Sequence, residues 1–278
     1  MMPDVAILNA GPGAWAFEEH ADRLARVLEV EVRDTPARFN YLLAWDEDAP
    51  PAGAELFVPF EAILVASDKR LQAEVFAAQG VPVPDTHLLS EPDAVAALLS
   101  RWPAREWVLK YPIGCGASGH RMVRAGTAPP EDWPLPYVVQ EFIRMPAPEV
   151  YRLYGVGGET FGWNVRRFPG GTRSSPWVAH AQGAHYADAG PPPREAELAA
   201  RAALVVTGLL SSFGCVDLLY TDDGRWLALE VGTDGLFNHV DRDLGLPAIE
   251  AELDERLAKV FRKWVEARGR RIGESYPK

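Results

Sequence analysis

The chain has 278 residues, 47% of them hydrophobic, which is enough to bury a sizeable core arranged as two or three subdomains. With 28 Lys and Arg against 39 Asp and Glu the net charge is −11, so the long-range field opposes nonspecific binding to nucleic acid or an anionic membrane while leaving room for a local basic cleft. No run approaches the ~20 apolar residues a bilayer requires, no basic stretch precedes an apolar one at the start, and the two cysteines, Cys115 and Cys215, lack zinc or redox spacing. These features predict a cytoplasmic protein without a structural disulfide.

Residues 5–10 form a short apolar run that ends in Gly11-Pro12-Gly13, and Phe17, Ala21, Leu24 and Leu28 follow at helical spacing. Residues 30–33, 41–45 and 56–58 read as further short strands of a compact α/β unit. Ser67 is placed to cap a helix that begins with Asp68 and Lys69, carries Leu71, Val75 and Ala78 on one face, and stops at Gly80. Val81-Pro82-Val83-Pro84 is forced extended. Ser90 and Asp93 form a capping box for a helix bearing Val95, Leu98 and Leu99.

Strands follow at 107–111, 121–124 and 137–142, the first two joined by a glycine-rich turn. Residues 151–156 and 160–167 pair across Gly157-Gly158, and 173–190 is a polar stretch without periodicity. Residues 194–213 read as one long helix. Strands at 215–220 and 226–231 flank Thr221-Asp222-Asp223-Gly224, where Asp-Gly signals a hairpin. Residues 247–268 are a helix with Ile249, Leu253, Leu257, Val260, Phe261 and Trp264 on one face and acids ahead of bases, as the helix dipole prefers.

Gly11-x-Gly13-x-x-Ala16, with Glu29, Glu31 and Asp34 downstream, matches a dinucleotide fingerprint. Short glycine turns after a first strand are common, however, and this unit runs out of strands before a second mononucleotide half. Lys110, at the end of an apolar strand, precedes Tyr111-Pro112-Ile113-Gly114-Cys115-Gly116-Ala117-Ser118-Gly119. A lysine charge beside a loop whose glycines can aim backbone N–H groups suits phosphate, and the order is not that of a Walker motif. The plain alternative is a surface lysine before an ordinary turn.

Asp217 and Glu230 lie on successive hairpin strands, Glu230 within Leu227-Ala228-Leu229-Glu230-Val231. A carboxylate in so apolar a strand needs a cation or several donors, and a converging pair suits a magnesium ion that keeps waters and bridges phosphates. A solvent-facing pair of acids is the bland reading. Arg152, Arg166, Arg167 and Arg173 gather cations in an acidic chain, and because Arg166 and Arg167 alternate faces only one points inward. His20, His87 and His120 read as surface or helix-face residues, whereas His180, His185 and His239 stay open; no nucleophile triad spacing is present.

The succession Ser67-Asp68-Lys69, Trp107-Val108-Leu109-Lys110, the glycine loop, Val139-Gln140-Glu141-Phe142-Ile143, Glu149 with Arg152, Gly214-Cys215-Val216-Asp217-Leu218-Leu219 and Leu229-Glu230-Val231 resembles the ATP-grasp superfamily over about residues 67–244. Within it the pattern is similar to the ribosomal-protein glutamate ligases and the D-alanine–D-alanine ligases. The resemblance implies an α/β fold with α+β lobes: a small Rossmann-like pre-grasp unit at 1–66, a small lobe with the lid loop at 67–143, and a large lobe at 144–278.

It also implies ATP and Mg2+ as cofactors. Lys69 and Lys110 would contact phosphates, Gly116, Ala117, Ser118 and Gly119 would cover them, and Gln140, Glu141, Phe142 and Ile143 would hold adenine. Glu149 would meet the ribose, Arg166 or Arg167 the terminal phosphate, and Asp217 and Glu230 the metal, with Lys110, Arg166, Arg167 and Glu230 as the catalytic group. The implied reaction joins a carboxylate to an amine through an acyl phosphate, on a small-molecule or peptide substrate, with neither nucleic acid nor membrane as partner and with a homodimer as one assembly to test.

Two departures sit at the reacting centre. Gly232 stands where the family usually has a metal-binding asparagine, with Thr233 or Asp234 as substitutes, and His180 is nearest to a missing substrate-side asparagine. A degenerate nucleotide-binding module without ligase activity is therefore the competing expectation. Trp163, Phe168 and Trp177 could serve a peptide or belong to the core.

Overall fold

The computed structural model describes residues 4–114, 116–171, 175–233, 237–245 and 248–274. Strand β1 (Val5–Asn9) lies between parallel strands β2 (Glu31–Arg33) and β3 (Phe39–Ala44), with β4 (Glu55–Leu56) outside β3. Helix α1 (Glu18–Leu28) buries Ala21, Leu24 and Leu28, the stripe its sequence spacing predicts. Gly11 adopts φ +92°, and a Cβ there would come within 2.6 Å of Asp46 Cβ. A Cβ on Gly13 would meet nothing within 4 Å, so this turn accounts for its first glycine without any bound dinucleotide.

Helix α2 (Phe60–Ser67) runs directly into α3 (Lys69–Gln79). The cap between them differs from expectation: Ser67 closes α2, and Asp68 caps α3 by accepting from the Arg70 N–H at 2.8 Å. A second four-stranded sheet, in the order β5-β8-β6-β7, comprises β5 (Thr86–Leu89), β6 (Trp107–Lys110), β7 (His120–Val123) and β8 (Tyr137–Glu141). Helix α4 (Pro92–Arg101) covers one face. Its N-cap is Glu91 with Pro92 at the first turn, so the Ser90 capping box does not form.

The third sheet has the order β11-β10-β9-β12-β13, from β9 (Glu149–Val156), β10 (Glu159–Arg167), β11 (His185–Asp188), β12 (Phe213–Tyr220) and β13 (Trp226–Gly232). Helix α5 (Arg194–Val206) stops well short of residue 213, because Gly208 takes φ +76° and the chain turns back into β12. Strand β11 arises within the polar stretch that shows no periodicity, and helix α6 (Phe237–Leu244) follows β13.

Helix α7 (Ala248–Glu274) returns to the first sheet, where Phe261 and Trp264 pack on Phe39, Tyr41 and Phe57 with ring separations of 5.3–6.0 Å. Arg23 on α1 meets Glu250 at 2.6 Å and Asp254 at 2.8 Å. The first α/β unit thus shares one hydrophobic core with the third sheet and with α7.

Candidate active site

Strand alternation divides the middle sheet. Trp107, Leu109 and Val139 point to α4 and pack with Val95, Leu98 and Leu99. Lys110, Val138, Gln140 and Thr86 therefore face the other way, where they line a cleft with Lys69 and Gln72 of α3 and with Leu229 and Glu230 of β13. The cleft is narrow, with room for roughly one water-sized sphere, about 20 Å³, between its walls.

Lys110 is 5% exposed. Burial pushes its ammonium down to about 8, Glu230 works against that shift, and Lys69 adds to it. Lys69 anchors the glycine loop: its N–H donates to Pro112 O at 2.9 Å and its Nζ to Gly114 O at 2.8 Å. The loop arms close on each other, Tyr111 N–H donating to Gly119 O at 2.7 Å. A Cβ on Gly119 would sit 2.3 Å from Tyr111 Cβ, so only glycine fits.

On the third sheet Asn164, Arg152, Asp217 and Glu230 stand opposite one another across four strands, one row on one face. Asp217 is 1% exposed. Arg152 holds it bidentately, Nε to Oδ1 at 2.7 Å and Nη2 to Oδ2 at 3.2 Å, and Arg166 Nη2 closes on Oδ2 as well. Burial alone would raise the Asp217 carboxyl, but the two guanidinium groups overcome that and hold it below the ordinary carboxylate range. The Tyr186 ring covers both, 5.9 Å from Arg152 and 5.6 Å from Arg166.

The pairing of Asp217 with Glu230 is followed by that of Leu218 with Ala228, which leaves Leu229 as an extra residue. Because of this bulge the consecutive residues Leu229 and Glu230 both line the cleft, where a regular strand would turn one away.

Lys69, Lys110, Gln140 and Glu230 thus share one cleft, and Asp217 stands beside Glu230 in the adjoining row. Gly116 adopts φ +66°, its Cβ position lying 3.1 Å from Ala181, and Ala117 also has a positive φ of 61°, while Ser118 is exposed. The hinge candidates Glu141, Phe142 and Ile143 are half-buried; the N–H groups of Glu141 and Phe142 donate to Asp85 O and Glu106 O, both at 2.8 Å.

Glu149 and Arg167 lie on the opposite face of the sheet from Arg152 and Arg166. They pair at 3.5 Å, Glu149 accepts from the Tyr151 hydroxyl at 2.6 Å, and Arg167 is half exposed. Both line a separate cavity of about 540 Å³ with Phe168, His185 and Tyr186. Of the two adjacent arginines, Arg166 is the one that faces the Asp217 row.

Several expectations change. His120 is no surface residue: burial, then Lys110 and Lys69, push its imidazole down to about 3, so it stays neutral beside the lysines. Trp163 and Phe168 are core residues, and Trp177 packs on Phe142 and His120 at 5.9 and 5.2 Å. Cys115, Arg173 and Asp234 lie outside the described residues. Gln72 and Thr86, unsuspected from sequence, complete the cleft; Gln140 Nε2 donates to Thr86 Oγ1 at 3.0 Å. Neither carries a motif signal.

No sequence-family model matches the chain, and neither does any curated protein. Among solved structures it is similar to the ATP-grasp ligase PsnB complexed with a minimal precursor, at TM-score 0.64 and 14% identity over 94% of this chain and 100% of that one. It is similar also to the macrocyclase MdnB from Microcystis aeruginosa MRC (TM-score 0.58, 18% identity, 93% and 98% covered). A third such structure is the D-alanine–D-alanine ligase from Bacillus anthracis (TM-score 0.62, 14% identity, 98% of each covered). The chain has the ATP-grasp fold.

Proposed function

We propose that the chain is an ATP-dependent carboxylate–amine ligase. The observation that carries this reading is the convergence of Lys69, Lys110, Gln140 and Glu230, drawn from α3, β6, β8 and β13, on one cleft beside the Asp217 row. Residues 1–66 would form the substrate-side unit, and 67–143 and 144–278 the lobes that close on ATP. The apolar walls Val83, Val138 and Leu229 suit a purine, and the buried lysine suits phosphate. A cleft of this size admits a nucleotide only after the lobes part, so binding and opening are coupled.

In the proposed reaction a substrate carboxylate attacks the terminal phosphate, breaking its bond to ADP and forming an acyl phosphate. An amine then displaces inorganic phosphate and leaves an amide. Lys110 and Arg166 neutralise the charge that accumulates during transfer, and the closed glycine loop keeps water from the acyl phosphate. Arg166 Nε is buried without a hydrogen-bond partner among the described residues, a donor left for an incoming anion. An arriving triphosphate competes with Asp217 for Arg152 and Arg166, and so uncovers the carboxylate.

Asp217 and Glu230 offer the hard oxygens magnesium takes, and magnesium, when bound, would offset phosphate charge. PsnB is also described in complex with a precursor peptide, and a peptide is the substrate class proposed here.

Gly232 supports a second reading, nucleotide binding without ligation, because β13 ends on a residue with no side-chain ligand. The test incubates the protein with ATP and magnesium over panels of peptides and amino acids, following ADP release and mass loss of one water. Substrate-dependent ADP that disappears in Lys110→Ala and Glu230→Gln is expected. Full turnover in either variant contradicts the assignment, and ATP binding without turnover on any panel favours the second reading.

A further inference from the structure

The described residues contain a second cluster of ligand-type side chains, beside Tyr186. His180 lies in a short 3-10 turn, His180–Gln182, His185 begins β11, and His239 and Asp243 stand one turn apart on α6. His180 Nε2 is 3.4 Å from Asp243 Oδ2, and His185 Nδ1 is 3.3 Å from Asp243 Oδ1. One ligand atom from each of these three residues lies within 4.8 Å of the others. Tetrahedral zinc, with nitrogen and oxygen ligands at about 2.0–2.1 Å, spaces neighbouring ligands by roughly 3.3 Å.

We propose that His180, His185 and Asp243 form a three-residue binding site, with a further position open to solvent, for a divalent transition metal of the zinc class. The strongest support comes from Arg242. Its Nη2 lies 3.2 Å from His180 Nε2 and 2.8 Å from His239 Nδ1. A guanidinium only donates, so both nitrogens present lone pairs to one point that already holds positive charge. An ordinary histidine–aspartate ion pair would instead have His180 Nε2 protonated toward Asp243. Arg242 is 61% exposed and can withdraw into solvent, whereas Asp243 is 6% exposed and is oriented by the Tyr186 N–H, which donates to Oδ2 at 2.9 Å.

Imidazole-rich donors select zinc, cobalt or nickel over magnesium, which separates this site from the Asp217–Glu230 pair. An ion there would pin α6 to β11. His180 stacks on Tyr186 at 6.2 Å, and the Tyr186 ring covers Arg152 and Arg166, so the site would also fix the roof over Asp217.

The experiment titrates metal-free full-length protein with Co2+ in the absence of nucleotide, reading the visible absorption of four-coordinate cobalt and its loss on adding Zn2+. One saturable site per chain is expected. His185→Ala, at a half-exposed ring, should weaken binding on the order of 100-fold with unchanged circular dichroism. Arg242→Ala should tighten it by removing the competing cation. Absence of saturable binding, or equal affinity in wild type and His185→Ala, overturns the proposal. Affinity that falls in Arg242→Ala overturns the role given to that arginine. Because no nucleotide is present, failure of the ligase reading leaves this result untouched.

Discussion

Asp217 and Glu230 stand opposite each other across the β12–β13 hairpin, the last pair before the Leu229 bulge, and only Asp217 is enclosed by arginines. Glu230 is half-buried and faces Lys110 across the cleft. Asp217→Asn leaves two buried guanidinium groups without a counter-charge and is expected to cost about 3–5 kcal/mol in urea unfolding. Glu230→Gln should cost less, because the half-buried Glu230 keeps part of its hydration and Lys110 can shed its proton, while abolishing substrate-dependent ADP release. The folded pKa of Asp217 lies below its ordinary 3.8, so its contribution is present above that value and is lost as pH falls through the folded pKa. Equal losses of stability in the two variants would contradict this division.

Lys110 predicts a pH response of the opposite kind. Its pKa is about 8 in the folded protein against 10.5 when unfolded, so between those values the unfolded chain holds more protons. Stability of the nucleotide-free protein should therefore rise across that window, by about 3 kcal/mol. Lys110→Met should flatten the rise and raise the melting temperature at neutral pH, since the half-exposed Glu230 can keep its hydration. The same titration sets nucleotide affinity, which should weaken above pH 8 as the ammonium loses its proton. A pH-independent affinity between 7 and 9 would remove Lys110 from phosphate binding.

These two sites also mark how far the sequence could be read. Lys110 and Glu230 were legible because each is a lone charge at a fixed place in an apolar strand, and the cost of burying it demands a partner. The capture of Asp217 by two arginines was not, since it needs the register of β9, β10 and β12, with Arg152 and Asp217 65 residues apart in the chain. The Leu229 bulge is invisible in a period-two pattern, which treats Leu229 as one more apolar residue. His120 looked like a surface residue until the lid loop folded it against the lysines. Strand β11 lacks an alternating apolar pattern because its side chains serve polar contacts, His185 with Asp243 of helix α6 among them, in place of a core.

The glycine loop has a steric requirement of its own. Gly119→Ala places a methyl carbon 2.3 Å from Tyr111 Cβ, closer than any real contact, and the arms of the loop must separate. Overpacking of this kind costs about 1–3 kcal/mol. Because the strain is confined to a surface loop, the expected result is faster limited proteolysis within residues 111–119 and weaker nucleotide binding, with a modest change in melting temperature. Unchanged proteolysis would mean the loop accommodates the methyl group by another route.

Gln72 closes an edge. Strand β13 ends the third sheet, so the outward N–H and C=O groups of its backbone have no further strand to pair with. Pro82 O accepts from Ala228 N–H at 2.7 Å, and the Gln72 amide acts as a substitute peptide for Val231: Oε1 accepts from its N–H at 3.0 Å and Nε2 donates to its carbonyl at 3.3 Å. The same Nε2 donates to Ala66 O at 2.9 Å. Gln72→Leu strips these partners from buried groups and should cost about 1–3 kcal/mol. Gln72→Glu sharpens the test. Its carboxylate still accepts from Val231 N–H but faces the carbonyls of Val231 and Ala66 with a negative oxygen, so its pKa must rise. Protonation supplies a hydroxyl donor in place of the lost amide. The stability deficit of Gln72→Glu relative to wild type should therefore shrink as pH falls toward 5, whereas that of Gln72→Leu should not; parallel profiles would show that the amide is not the clamp between α3 and β13.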